Sequence, residues 1–200
     1  ALYLEHGGYQ HALVIGAETL SKMMDWTDRS TCVLFGDGAG AAVLSASKED
    51  GILSMVQGSD GFRGDVLNCM ARKVNNPYKK SDTALSYVSM NGQEVYRFAV
   101  KTVPKAVTDA VEQAGLQLEE VDLFLLHQAN YRIIEAVSKR LGQPMEKFPT
   151  NLEECGNISA ASVPILLDNV NNHGMMRKGM KIVLAGFGAG LTWGATVINW

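Results

Sequence analysis

Short continuous apolar runs alternate with helical stripes along this chain. HALVIGAE, residues 11–18, is an apolar run of strand length, the pattern of a strand buried on both faces. TCVLFGDGAGAAVLSAS (31–47) holds two apolar stretches broken at Gly36, Gly38 and Gly40, which predicts a strand pair or one bent strand. ILSMVQGS (52–59) predicts a further strand. Residues 60–90 are polar, and Asn75, Asn76 and Pro77 mark a surface loop. From Gln93 the period changes. Val95, Phe98, Ala99, Val103, Ala106, Val107, Ala110, Val111 and Ala114 form one helical stripe, stopped at Gly115. Pro104 within it is expected to kink or split the helix. VDLFLLH (121–127) predicts a buried strand, and 130–141 a helix ended by Gly142. Residues 148–152 form a brief strand candidate. Residues 159–171 predict a helix with Pro164 near its first turn. KIVLAGF (181–187) and TWGATVIN (192–199) predict two last strands joined by a glycine turn.

From residue 93 the predicted order is α, β, α, β, α, β, β, an α/β layer with a mixed sheet. Residues 1–59 read as the end of a similar unit, residues 60–92 as the connection, and 93–200 as the second unit. A structural duplication with a shortened first copy would explain this. ALYLEHGG reads as the tail of a helix stopped by Gly7 and Gly8, without an initiator Met, as if the chain starts inside a domain.

Composition narrows the class. Two hundred residues can bury roughly 70% of their unfolded surface, so no staple is required. A net charge of −3 gives no general attraction to nucleic acid or anionic membrane. No apolar run approaches the ~20 residues that span a bilayer, and no basic head with an apolar stretch marks a signal peptide. The three cysteines, Cys32, Cys69 and Cys155, show no CxxC spacing, so neither a disulfide framework nor a metal site is expected. Reduced thiols fit the cytoplasm.

Two residues carry candidate chemistry. His127 ends the apolar run VDLFLLH, and Asn157 follows EECG just before a helix pattern. Both stand where an α/β enzyme displays catalytic groups. A His and an Asn can each donate a hydrogen bond to one carbonyl oxygen. A core histidine and a simple helix cap would satisfy the same positions. Gly186, Gly188 and Gly190 let backbone N–H groups approach a ligand. GDGAGA (36–41) lacks the Lys-Ser/Thr of a phosphate loop and reads as a packing device. Arg132, Lys139 and Arg140 share the polar side of their helix, either as a solvated face or as a docking patch for an acidic partner. Arg29, three residues after Trp26, fits a nucleotide contact or a surface turn. Cys155, close to Asn157, has no base or helix N-terminus to activate it as a nucleophile.

LLHQAN, GNISAAS, GFGAGLTWGA, DWTDRST and FGDGAGAAVL together resemble the β-ketoacyl-acyl-carrier-protein synthase III family of the thiolase superfamily. The resemblance covers essentially the whole chain. It implies a five-layer α-β-α-β-α fold of two similar halves, of which this chain would hold the end of the first and all of the second. It implies a Cys–His–Asn site in which His127 and Asn157 are two members. The family cysteine lies upstream and matches none of the three here, so the chain alone is expected to be inactive. The resemblance further implies that Phe187 stands beside the departing carboxylate and that the Ala189 N–H forms part of an oxyanion hole. Arg29 would contact coenzyme A, and Gln93 would line the pantetheine channel. Arg97, Arg132, Lys139 and Arg140 would dock the acyl carrier protein. The implied partners are that protein, an acyl-CoA (commonly acetyl-CoA) and a second subunit of a homodimer. No cofactor beyond the coenzyme A thioester is implied. Three positions depart from the family pattern: Ile158 for a hydroxyl residue, Ala189 for glycine and Gln93 for asparagine. A related condensing or acyl-transfer enzyme of secondary metabolism and a non-catalytic module binding acyl carrier protein or coenzyme A are the other readings.

Overall fold

The computed structural model describes residues 1–49, 51–69, 78 and 86–200. Asn75, Asn76 and Pro77, expected in a loop, lie outside the described residues. Helix α1 (Leu2–His6) stops at Gly7, as the opening residues predict. Strands β1 (His11–Thr19) and β2 (Asp37–Ser45) pair antiparallel as a two-stranded sheet. β3 (Ile52–Ser59) leaves that unit. It pairs with β8 (Thr192–Asn199), which pairs with β7 (Lys181–Gly188), which lies parallel to β6 (Leu123–Leu126). The sequence grouping of 1–59 is thus corrected: the sheet boundary falls between Ser45 and Ile52, because hydrogen-bond pairing outranks nearness in the chain. β4 (Leu67–Asn68) and β5 (Ser89–Met90) form a small pair inside the expected connection.

Each element is explained by what covers it. Helices α2 (Gly92–Gln113) and α3 (Tyr131–Leu141) cover one face of the second sheet, burying Phe98, Val107, Ile134 and Val137 against Val183, Ala185 and Val197. α4 (Leu152–Cys155) is a single turn. α5 (Ser162–Asn172) covers the other face, burying Leu166 and Val170 against Leu123, Leu125 and Ile182. Both faces of β6 and β7 are therefore covered, which is why their sequences are continuously apolar. α5 also packs on β1–β2. The described chain thus supplies four layers, α-β-α-β. The run 11–18, expected to be buried on both faces, is covered on one face only: Leu13, Ile15 and Val43 on the outer face of β1–β2 are more than half exposed, because no described element packs there.

Three further local expectations differ. Residues 31–34 form turns rather than a strand, and Phe35 makes only an isolated bridge. Asp28 accepts from the Ser30 N–H at 2.9 Å and from the Thr31 hydroxyl at 3.0 Å, and such local bonds compete with a ladder. Pro104 is buried inside an unbroken α2, so packing on the sheet outweighs the ~3 kcal/mol that a mid-helix proline typically costs. Residues 148–152 form no strand. Phe148 stacks on Phe124 at 4.7 Å and 7°, Pro149 can donate no ladder bond, and α4 begins at once. No described helix is long and apolar enough to cross a membrane.

Candidate active site

His127 immediately follows β6, and its N–H donates to the Ala185 carbonyl of β7 at 2.8 Å. That bond turns the residue out at the C-terminal ends of two parallel strands, where open α/β sheets place their ligands. Its ring meets Phe187 edge-on, with centroids 5.2 Å apart at 71°. Phe187 leans in turn on Phe98. Neither ring nitrogen of His127 has a hydrogen-bond partner among the described residues, although the residue is only 9% exposed.

Burial pushes the His127 pKa from 6.5 down to about 4. The ring is therefore neutral at pH 7, with one nitrogen free to donate. The same burial sets a stability prediction. Between the two values the unfolded chain binds a proton that the folded chain does not. Stability is therefore full above pH 6.5 and falls with pH down to about 4. At about 1.4 kcal/mol per unit, the loss is about 3 kcal/mol. Urea unfolding across this window should show the slope, and His127→Gln should remove that share of it. An unchanged slope in the variant would disprove the assignment.

Asn157 arrives from another direction. It forms an isolated parallel bridge with Phe35: its N–H donates to Leu34 at 3.1 Å and its carbonyl accepts from Gly36 at 2.8 Å. The turn after β1 thus carries Asn157, and the glycines explain how. A Cβ on Gly36 would stand 2.7 Å from the Cys155 carbonyl oxygen, and one on Gly16 only 2.4 Å from that of Ala160. GDGAGA is a packing floor, as its sequence implied. The Asn157 side-chain oxygen accepts from the Ser159 N–H at 3.0 Å, which commits the oxygen and leaves the amide nitrogen free. Ile158 is buried on Gly38, so its departure from a hydroxyl residue is absorbed by packing.

His127, Asn157, Phe187 and Ala189 line one cavity of about 620 Å³. Leu20, Met23, Phe35, Leu67 and Val88 give the rest of it an apolar wall. Two neutral donors therefore face an apolar space, which suits a developing oxyanion better than a metal or a fixed charge. Cys69 also lines this cavity, a position no sequence signal marked. Its thiol contacts the Ser86 carbonyl at 3.5 Å.

Arg29, Gln93, Arg97, Arg132, Lys139 and Arg140 do not line the cavity, and all six are exposed. Arg29 lies in the turn after β1. Gln93 lies in the first turn of α2. Arg97 pairs with Glu94 at 2.5 Å and Lys139 with Glu135 at 2.8 Å, which raises the Lys139 pKa. Arg132 and Arg140 have no ion-pair partner among the described residues. Cys155 does not line the cavity.

Comparison with known proteins agrees with this geometry. The family profile described as 3-oxoacyl-[acyl-carrier-protein] synthase III matches residues 1–61, and that of its C-terminal region matches residues 111–200. The beta-ketoacyl-[acyl-carrier-protein] synthase III of Clostridium acetobutylicum is 48% identical over 199 residues, covering 99% of this chain and 61% of its own length. The crystal structure of the synthase III from Thermus thermophilus superposes with a TM-score of 0.89 at 44% identity, over 99% of this chain and 61% of that one. The priming beta-ketosynthase of the R1128 polyketide pathway superposes with a TM-score of 0.90 at 36% identity, over 100% of this chain and 60% of that one. The chain spans about three fifths of the length of the relatives it matches. It has the thiolase-like fold, and it belongs to the 3-oxoacyl-[acyl-carrier-protein] synthase III family.

Proposed function

We propose that this chain is the His/Asn-bearing part of a condensing enzyme that joins a starter acyl-CoA to malonyl-acyl-carrier protein, initiating type II fatty acid synthesis. The observation that carries the reading is the pair of uncommitted neutral donors, His127 and Asn157, on one apolar cavity beside Phe187. In this reading a cysteine upstream, in the stretch by which the relatives are longer, attacks the acyl-CoA and releases coenzyme A. Malonyl thioester then loses carbon dioxide, and the electron pair left behind makes an enolate. His127 and Asn157 donate to its oxygen, each such donor typically worth ~3–4 kcal/mol of barrier. The apolar Phe187 face disfavours the carboxylate and favours its loss. The enolate carbon attacks the acyl group, the thiolate leaves, and the Ala189 N–H shares the oxyanion of that step. Acetyl-CoA is the starter we assign, entering as substrate with no further cofactor, and the assembly is a homodimer. Without its cysteine segment the chain forms no acyl-enzyme. Arg29 and Gln93 hold the coenzyme A and pantetheine arms outside the cavity.

The complete enzyme, given acetyl-CoA and malonyl-acyl-carrier protein, is expected to release carbon dioxide and carry its acetyl group on the upstream cysteine. An acetyl group mapped to Cys69 would overturn the division of labour, and no carbon dioxide release would overturn the reaction. The polyketide priming enzyme among the structural neighbours supports a second reading, the same condensation with a different starter. A starter series read by product mass separates the two.

Arg97, Arg132, Lys139 and Arg140 dock the acidic carrier protein in this scheme. Arg132→Glu with Arg140→Glu is expected to raise KM for the carrier substrate on the order of tenfold, less at high salt, while acylation by acetyl-CoA is unchanged. An unaltered KM would exclude α3 from docking.

A further inference from the structure

Gln128 follows His127 and is buried more deeply, at 1% exposed. Its side-chain nitrogen donates to the Leu126 carbonyl at 2.8 Å. Its side-chain oxygen accepts from the Asn151 N–H at 3.2 Å. Leu126 is the last residue of β6, directly before His127. Asn151 stands at the start of α4, the single turn that ends at Gly156, directly before Asn157. One amide thus clasps the strand end that carries His127 to the segment that carries Asn157. The Asn151 side-chain nitrogen is itself buried without a partner, so this spot already lacks an acceptor. Gln128 does not line the cavity.

We propose that Gln128 is a positioning residue: by bonding Leu126 and Asn151 together it sets the spacing of His127 and Asn157, and so their shared grip on one oxygen. The inference rests on the condensing-enzyme reading above. Two donors aimed at one atom tolerate little error, since a displacement of about 1 Å can cost on the order of 100-fold. Residues that orient metal ligands, acting likewise from behind the reacting groups, are typically worth about 10- to 100-fold. Acylation of the upstream cysteine does not use this spacing, and substrate does not touch Gln128.

The test uses two variants of the complete enzyme. Gln128→Met keeps the length but supplies neither bond. It should lose about 10- to 100-fold in kcat for malonyl decarboxylation, with KM within about twofold and cysteine acylation unchanged. Gln128→Glu can make both bonds only when protonated, because an ionised carboxylate has no donor for Leu126. Its decarboxylation should approach the native rate near pH 5.5 and fall as pH rises to 8. Native-like rates in Gln128→Met would overturn the positioning role while leaving the reaction intact. Equal loss of acylation and decarboxylation in both variants would overturn it too, as general misfolding. If the native enzyme releases no carbon dioxide, the condensing reading fails first and this role falls with it.

Discussion

His127→Ala in the complete enzyme is expected to lower malonyl decarboxylation by about 100- to 1,000-fold while acylation of the upstream cysteine continues. The split follows from position and protonation. His127 is held neutral by burial, so it stabilises by donating one hydrogen bond, not by carrying charge. Phe187 fills the wall beside its ring. Asn157→Ala should fall in the same range. The double variant should lose far less than the product of the two, since both donors serve one oxygen. Labelled carbon dioxide reads the first step, and the mass of the acyl-enzyme reads the second. Decarboxylation at the native rate in His127→Ala would make the histidine a core residue and remove the basis of the mechanism.

Gly16→Ala is expected to be the most damaging change outside the cavity. The added Cβ would stand 2.4 Å from the Ala160 carbonyl oxygen, 2.7 Å from its carbon and 3.0 Å from the Ala161 nitrogen. All three are backbone atoms, so no side chain can swing away. Overpacking of this kind typically costs about 1–3 kcal/mol and occasionally more. The displaced segment is the one that carries Asn157, so decarboxylation should fall even in molecules that stay folded. Gly51→Ala is the control: a Cβ there meets nothing within 4 Å, and a change within about 0.5 kcal/mol is expected. Urea midpoints of both variants decide the matter. Equal stability would mean that the β1–β2 floor yields and does not position Asn157.

Much of the fold was legible because local pattern and tertiary environment agree. Strands β6 and β7 are apolar along their length, and they are covered on both faces. The stripes of α2 and α3 face the sheet that their periodicity implied. His127 could be singled out because a polar residue ending an apolar strand reaches a strand's C-terminal edge whatever its neighbours are. Asn157 was legible only as one of two kinds of asparagine, cap or donor. Its oxygen makes a cap-like bond to the Ser159 N–H, while its amide nitrogen stays uncommitted, so the two roles coexist in one residue. Where local chemistry misled, a specific competitor won. Asp28 side-chain bonds took residues 31–34 out of a strand, and burial carried α2 through Pro104.

What the sequence determined by itself is therefore the set of elements and the two residues at their ends. Periodicity and strand length follow from burial, and burial leaves its mark on every residue of an element. The tertiary structure alone decided who stands beside whom. It put β3 beside β8, Cys69 on the cavity wall, Leu34 and Gly36 under Asn157, and Gln128 between the two donor-bearing segments. These contacts join residues from 23 to more than 100 positions apart. Each joins distant parts of the chain through pairing or close approach, and such contacts leave no periodic trace in a chain.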